Sequence, residues 1–325
     1  MKKFIVLMVI VALAVCSIAT LTGCQSADYN VGIVQLDTHP ALDASNKGFQ
    51  DKLTELMTAE GKTVKFHVNN AQGDISNATT ASQTLVTKNV DLIFAIATPT
   101  AQAAYGATKN IPIVFTAVTS AKEAGFENAT NVTGTTDLND VKKQVELMFM
   151  LRPNASKFGI LYTTSEDNST LQKNMAVAEM KEKGMSESNI IVKGISDIND
   201  VSSAFDSFKN EGVECIYIPT DNKLANGAST VHSVNKDSGA NIPIVCGETG
   251  MNDICGVATY GVDYYTIGVK AAEMAFDIIF NGKKPSEIAV VDPISTDDDF
   301  SYNEEVANAL GFTIPDAVKN IGKAA

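Results

Sequence analysis

The residue types able to bind or react gather in short polar stretches, each placed directly after an apolar run. Gln35 to His39 follows NVGIV, Thr98-Pro99-Thr100 follows DLIFAIA, and Thr116 to Ser120 follows IPIVF. Farther along, Thr163 to Asn168 follows KFGILY, Thr220-Asp221-Asn222 follows ECIYIP, and Gly247-Glu248-Thr249 follows a second IPIV, at 242–245. The two sets differ in chemistry. In the first, Thr98, Thr100, Thr116 and Thr119 offer hydroxyls, and no carboxylate lies between Thr98 and Ala104 or between Thr116 and Ala121. Pro99 at a helix start leaves free backbone N–H groups beside it, an arrangement that attracts anions. The second set brings Glu166, Asp167, Asp221 and Glu248, with amides from Asn168 and Asn222. One wall suits a carboxylate and the other an ammonium, so a zwitterion such as an α-amino acid fits the pair. Plainer roles compete for the same residues. Thr98, Thr100 and Asp221 are good helix caps, and His39 before Pro40 reads equally well as a solvated loop histidine. Tyr264, with Phe115, Tyr162 and Tyr265, can wall an apolar slot for an aromatic ligand or simply pack in the core or hinge.

What is missing narrows the chemistry. Anion sites often use arginine for a bidentate grip, and Arg152 is the one arginine of the chain, away from every polar stretch named above. There is no Trp to stack on a sugar, although Tyr and Phe keep sugars and nucleosides open as alternatives. A hydrolase needs a nucleophile beside a positioned base. His67 falls within a strand pattern, His232 within a helix, and no G-x-S-x-G is present. The run Asp297-Asp298-Asp299 lacks the glycine and distal glutamate of a calcium loop. Neither a metal nor another cofactor is expected. A net charge of −13 argues against nucleic acid or an anionic membrane as a direct partner.

The elements that must hold these stretches alternate between strand and helix. Near-continuous apolar strands separated by helical patterns indicate a parallel sheet covered on both faces. The order then repeats: KFGILYTTSEDN parallels NVGIVQLDTHPA, ECIYIPTDN parallels DLIFAIATPT, and IPIV recurs. Each IPIV is therefore the fourth strand of one of two similar α/β lobes. In parallel α/β sheets ligands bind beyond the carboxyl ends of the strands, where the polar stretches lie. NVTGTTDL, at 131–138, reads as the connection between lobes. A helix over about 263–281 has Ile267, Ala271, Met274, Ala275 and Ile278 on one side. It comes after the second lobe is nearly complete, so the chain is expected to cross between lobes several times and build a hinge of strands.

The first residues are of another kind. Lys2 and Lys3 precede FIVLMVIVALAVCSIATL, which ends in LTGC at Cys24. A basic start, an apolar run and small residues before a cut site mark a secretory signal. LTGC resembles the bacterial lipobox, and the resemblance implies lipidation at Cys24. Among the remaining cysteines, Cys215 and Cys246 lie in strand-like runs and read as small buried hydrophobes, while Cys246 and Cys255 are candidates for a disulfide in an exported protein.

Together, VGIVQLDTHPALD, NNAQGD, DLIFAIATPTAQAA, IPIVFTAVT, NVTGT, PTDN and ATYGVDYY resemble the extracellular solute-binding proteins of ABC importers. The likeness is to the branch associated with tryptophan, tyrosine and phenylalanine uptake, and covers residues 30–312. It implies a type I periplasmic-binding-protein fold with a ligand cleft between two doubly wound lobes joined by a multi-strand hinge. The division expected is a signal peptide at 1–23, a tether at 24–29, an N-terminal lobe of 30–136 plus 260–284 and a C-terminal lobe of 137–259 plus 285–325. The expected ligand-binding residues are Gln35, His39, Thr98, Thr100, Thr116, Thr119, Glu166, Asn168, Asp221, Asn222, Glu248 and Tyr264. The resemblance further implies a non-enzymatic, monomeric protein outside the cytoplasm, lipid-anchored to the membrane. It would deliver its ligand to a permease driven by a separate ATPase, since no phosphate-binding loop occurs here. A sensor presenting its ligand to a membrane receptor would use the same cleft.

Overall fold

In the computed structural model, which describes residues 27–293, 299–321 and 323–324, the apolar runs form the strands. The first half comprises β1 (Tyr29–Gln35), α1 (Pro40–Ala59), β2 (Val64–Asn70), α2 (Ile75–Thr87), β3 (Leu92–Ile96), α3 (Thr98–Ala107), β4 (Ile113–Val118) and β5 (Val132–Thr136). The second begins with α4 (Val141–Leu151), β6 (Phe158–Thr163), α5 (Asp167–Glu182), β7 (Ile190–Ile195), α6 (Val201–Glu211) and β8 (Cys215–Ile218). It continues with α7 (Asn222–Asn226), α8 (Ala228–Asp237), β9 (Ile244–Cys246), α9 (Thr249–Asn252) and β10 (Ala258–Tyr260). Helix α10 (Tyr264–Ile279), β11 (Phe300–Tyr302), α11 (Glu304–Ala309), α12 (Asp316–Lys319) and β12 (Lys323–Ala324) complete it. The lipidation signal at Cys24, with Asp297 and Asp298, lies outside the described residues.

The first sheet runs β2-β1-β3-β4-β5, all parallel. The second runs β12-β11-β10-β9-β8-β6-β7, and its β7-β6-β8-β9-β10 portion repeats the order of the first. β11 lies antiparallel to β10. Both IPIV segments are indeed fourth strands. Every residue of β3 and β4 is buried, as helices on both faces require.

Residues 131–138, read from the sequence as a connection, instead contain β5, a fifth strand paired with β4. Its TGTT core lacks an apolar pattern. Burial is tolerated because its hydroxyls are bonded: Thr133 donates to the Ile288 carbonyl at 2.8 Å, and Thr135 to Thr116 Oγ1 at 2.9 Å.

The chain passes between the sheets three times, at 137–140, at 261–263 and between Val291 and β11. These crossings are bonded to one another or at their roots. Thr136 N–H donates to the Val291 carbonyl at 2.9 Å, Val291 N–H to Gly134 at 3.0 Å, and Gly261 N–H to Asp299 at 2.9 Å. After the second crossing, α10 packs on α1, and its face Ile267, Ala271, Met274, Ala275 and Ile278 joins the core of the first sheet. Two glycines permit this approach. A Cβ on Gly48 would stand 2.3 Å from the Tyr265 carbonyl oxygen, and one on Gly268 would stand 2.1 Å from that of Ser45. Cys215, Cys246 and Cys255 are buried free thiols. Burial pushes the Cys215 and Cys246 thiols up, which keeps them unreactive.

Candidate functional site

The carboxyl ends of both sheets face each other across a cleft. The first sheet's floor is strained where it meets that cleft. Ala97 (φ 91°), the residue before α3, and Ala117 (φ 54°), at a register shift near the end of β4, both have positive φ. Such backbone costs about 1–3 kcal/mol per residue and concentrates at functional sites. Here it turns the start of α3, Thr98 to Ala101, inward at buried positions.

A small space is enclosed where the walls meet. Its lining from the first sheet and hinge is His39, Leu42, Ala117, Asp137 and Tyr264; from the second sheet come Asn168, Thr220, Asp221, Asn222, Ala225 and Glu248. Polar contacts shut it on several sides. His39 Nε2 meets Asn222 Oδ1 at 3.4 Å, Gln172 Nε2 donates to Thr119 Oγ1 at 3.0 Å, and Gln102 Nε2 donates to Asp167 at 3.2 Å. Asn226 Nδ2 also donates to Asp37 at 2.6 Å. Outside this line a wider hollow opens between Asp37, Ile75 and Pro99 on one side and Asp197, Ile198 and Lys223 on the other.

The acids of the site fall into two kinds. Asp221 is saturated: it accepts from Thr163 N–H at 2.6 Å, Thr163 Oγ1 at 2.8 Å, Ser169 Oγ at 2.7 Å and, as the N-cap of α7, Leu224 N–H at 2.9 Å. Glu166 likewise accepts from Asn168 Nδ2, from Asn222 Nδ2 at 2.6 Å, and from the N–H groups of Asn222 and Lys223 at 3.0 Å. Burial raises both carboxyls above their usual range, and for Glu166 the neighbouring Asp221 adds to the rise. These two carboxylates tie β6, β8 and the start of α7 together.

Glu248 is different. It is 1% exposed, stands before α9 without capping it, and neither carboxylate oxygen has a hydrogen-bond partner. Burial first, then the nearby Asp137, pushes its carboxyl up to about 8. Asp137, at the first hinge crossing, accepts from Tyr264 Oη at 2.8 Å and Thr119 Oγ1 at 3.1 Å, and burial pushes it up to about 6. No cation among the described residues bonds either acid. Other buried side-chain atoms without partners at the cleft are Thr98 Oγ1, His39 Nδ1 and Asn168 Oδ1. Four of these five orphans are oxygens; Asn168 Oδ1 can only accept a hydrogen bond, as can both Glu248 oxygens once that carboxyl is ionised.

The remaining sequence candidates have internal partners. Gln35 bonds Asp37, Asp43 and Asn46 on its own side. Thr100 donates back to the Ile96 and Ala97 carbonyls, and Thr116 accepts from Thr135. They shape the wall without turning a free atom to the cavity. The sequence reading missed Asp137, hidden in a stretch taken for a link. It also missed Gln172, wholly buried, which donates to Thr119 across the closed cleft and on its own side accepts from Thr220 N–H and Tyr217 Oη. The acid in NVTGTTDL, at a chain crossing, was the available signal for Asp137.

Residues 30–324 match the family model for ABC transporter substrate binding proteins. A tyrosine-binding protein of Clostridioides difficile (strain R20291) is 35% identical over 319 residues, covering 91% of this chain and 89% of its own. The crystal structure of an ABC domain in complex with L-Trp from Streptococcus pneumonia has a TM-score of 0.80 at 32% identity, over 90% of this chain and 99% of that one. The ligand-free, open structure of a substrate binding protein with adhesive properties from Clostridium difficile gives 0.66 at 33% identity, over 91% and 99%. At nearly equal identity the fit to the tryptophan complex is the better, in keeping with the contacts that close the cleft here.

Proposed function

Because the chain belongs to the ABC transporter substrate-binding protein family, we propose that its cleft captures a free amino acid with an aromatic side chain, held by its ammonium between Glu248 and Asp137. The observation that carries this reading is the buried, unpartnered carboxylate of Glu248 beside a second buried acid. An isolated buried charge is costly unless an opposite charge meets it. An ammonium has three donors, enough to bond both acids, and one positive charge, which balances one ionised carboxylate while the other keeps its raised, protonated state. A neutral sugar would leave the acids uncompensated. The identities of the relatives, a tyrosine-binding protein and a tryptophan complex, support an aromatic side chain. The free amides at the start of α3, with the Thr98 hydroxyl, are the place for the ligand carboxylate.

Closure is the working step. The ligand contacts both walls only when they meet, so its binding energy favours the shut form. The lobes that move are 30–136 plus 264–291 and 141–260 plus 300–321, hinged at the three crossings; residues 285–291, expected with the second lobe, are bonded to β5 of the first. The closed protein hands its ligand to a membrane permease whose energy comes from a separate ATPase. It does no chemistry on the ligand, acts as a monomer, and is held outside the membrane by a lipid on Cys24. Among the described residues no helix is long and apolar enough to cross a membrane. Titration calorimetry of the full chain with L-tyrosine, L-tryptophan and L-phenylalanine, each against its decarboxylated and its N-acetylated form, tests the assignment. Binding must require the free ammonium; equal affinity for the N-acetyl compound would end the reading.

A further inference from the structure

Resting on the amino-acid reading above, we infer that His39 is a specificity residue that accepts a hydrogen bond from a donor on the ligand's ring, so that a phenol or indole is preferred to a plain phenyl. The argument starts from the Asn222 amide. Its Nδ2 donates to Glu166 Oε2 at 2.6 Å, an oxygen that also accepts from the Asn222 N–H. That contact fixes the amide, so its Oδ1 is the atom facing His39 Nε2 at 3.4 Å. An amide oxygen only accepts, and His39 Nε2 must therefore carry the proton. Desolvation favours the neutral ring, and its pKa is accordingly lowered, although the Asn222 bond and the charges of Asp37 and Asp43 oppose this. A neutral imidazole protonated at Nε2 has a bare lone pair on Nδ1. This nitrogen is buried and has no partner. His39 stands at the N-cap position of α1, yet its ring makes no capping bond to that helix and lines the cavity instead.

The ligand's ammonium does not need this lone pair. Two carboxylates at the hinge side claim it, and a neutral nitrogen cannot compete with them for a cation. The group that reaches the wall between His39 and Asn222 is then the other end of the ligand. A phenol O–H or an indole N–H satisfies Nδ1, whereas a phenyl ring leaves it dry and unpaired. Sites built around a hydrogen-bonding group reject analogues that lack it, because the site's own polar atom is left unmet.

The test is calorimetry on the full chain with L-tyrosine, L-tryptophan, L-phenylalanine and O-methyl-L-tyrosine, on the natural protein and on His39→Gln. Glutamine reaches the Nε2 position, which preserves the contact to Asn222, but has nothing at Nδ1. The natural protein should bind tyrosine and tryptophan at least about ten-fold more tightly than phenylalanine or O-methyltyrosine. His39→Gln should lose about ten-fold for the two donors and less than about two-fold for phenylalanine, whose retained affinity also shows that the variant is folded. Equal losses for all ligands, or a natural protein indifferent to the ring donor, would overturn the inference while leaving amino-acid capture intact. Binding of none of the four would overturn both.

Discussion

Replacing Glu248 by glutamine should make the empty protein close more readily and yet bind its amino acid more weakly. The reasoning follows from burial. In the closed form the Glu248 carboxyl is pushed up to about 8, from an ordinary 4.5. A raised carboxyl binds its proton more tightly in the closed form than in an open, solvated one. Its contribution to closure is thus fully present below about pH 4.5 and is lost as pH rises toward 8. At pH 7 the open form would ionise and the closed form would not. Across that gap of about 2.5 units, at 1.36 kcal/mol each, empty closure costs about 3 kcal/mol, or roughly two powers of ten in population. Asp137 adds to this cost above its own value of about 6. A ligand ammonium removes the penalty, so the same acids that resist empty closure reward filled closure. Glutamine cannot ionise, which abolishes the penalty and the reward together. Small-angle scattering of the ligand-free chain from pH 5 to 8 should show opening with rising pH for the natural protein and a much flatter response for Glu248→Gln. Calorimetry at pH 7.5 should show the variant binding about 2–5 kcal/mol more weakly. A natural protein equally open at pH 5 and pH 8, or a variant with undiminished affinity, would refute the role given to Glu248.

Asp221→Asn should act on stability more than on ligand contact. Its oxygens already accept from Thr163, Ser169 and Leu224, and an amide NH₂ turned toward those donors costs about 1–3 kcal/mol, readable by urea unfolding. Gly268→Ala should destabilise the first lobe by about 2 kcal/mol or more, because a methyl there meets the Ser45 carbonyl at 2.1 Å; an unchanged denaturation midpoint would show that α1 and α10 can part freely. Cys24→Ser should move the protein from the membrane fraction to the soluble one, and full retention would favour a spanning N-terminal segment instead.

The architecture was largely legible because parallel strands buried on both faces write themselves as apolar runs. The duplicated IPIV and the echo of DLIFAIATPT in ECIYIPTDN placed corresponding strands of the two sheets by local pattern alone. The face of α10 was equally plain, since a helix packed on a core must repeat its apolar residues every three or four positions. β5 escaped notice because its burial is compensated by hydroxyl bonds to the Ile288 carbonyl and to Thr116, partners far off in sequence.

The same contrast separates the site's residue types from their roles. Sequence alone determined that polar stretches follow the strands, that acids crowd one set of them, and that no arginine serves the cleft. It could not rank those acids. Asp221 and Glu248 look alike in a string of letters, each following an apolar strand and preceding a short helix. Only the tertiary structure decided that Asp221 spends its lone pairs on its own lobe, that Glu248 is left with none of its oxygens bonded, and that Asp137 joins it from the hinge. The physical reason is that a carboxylate's availability depends on how many donors converge on it in space, and those donors come from separate segments of the chain.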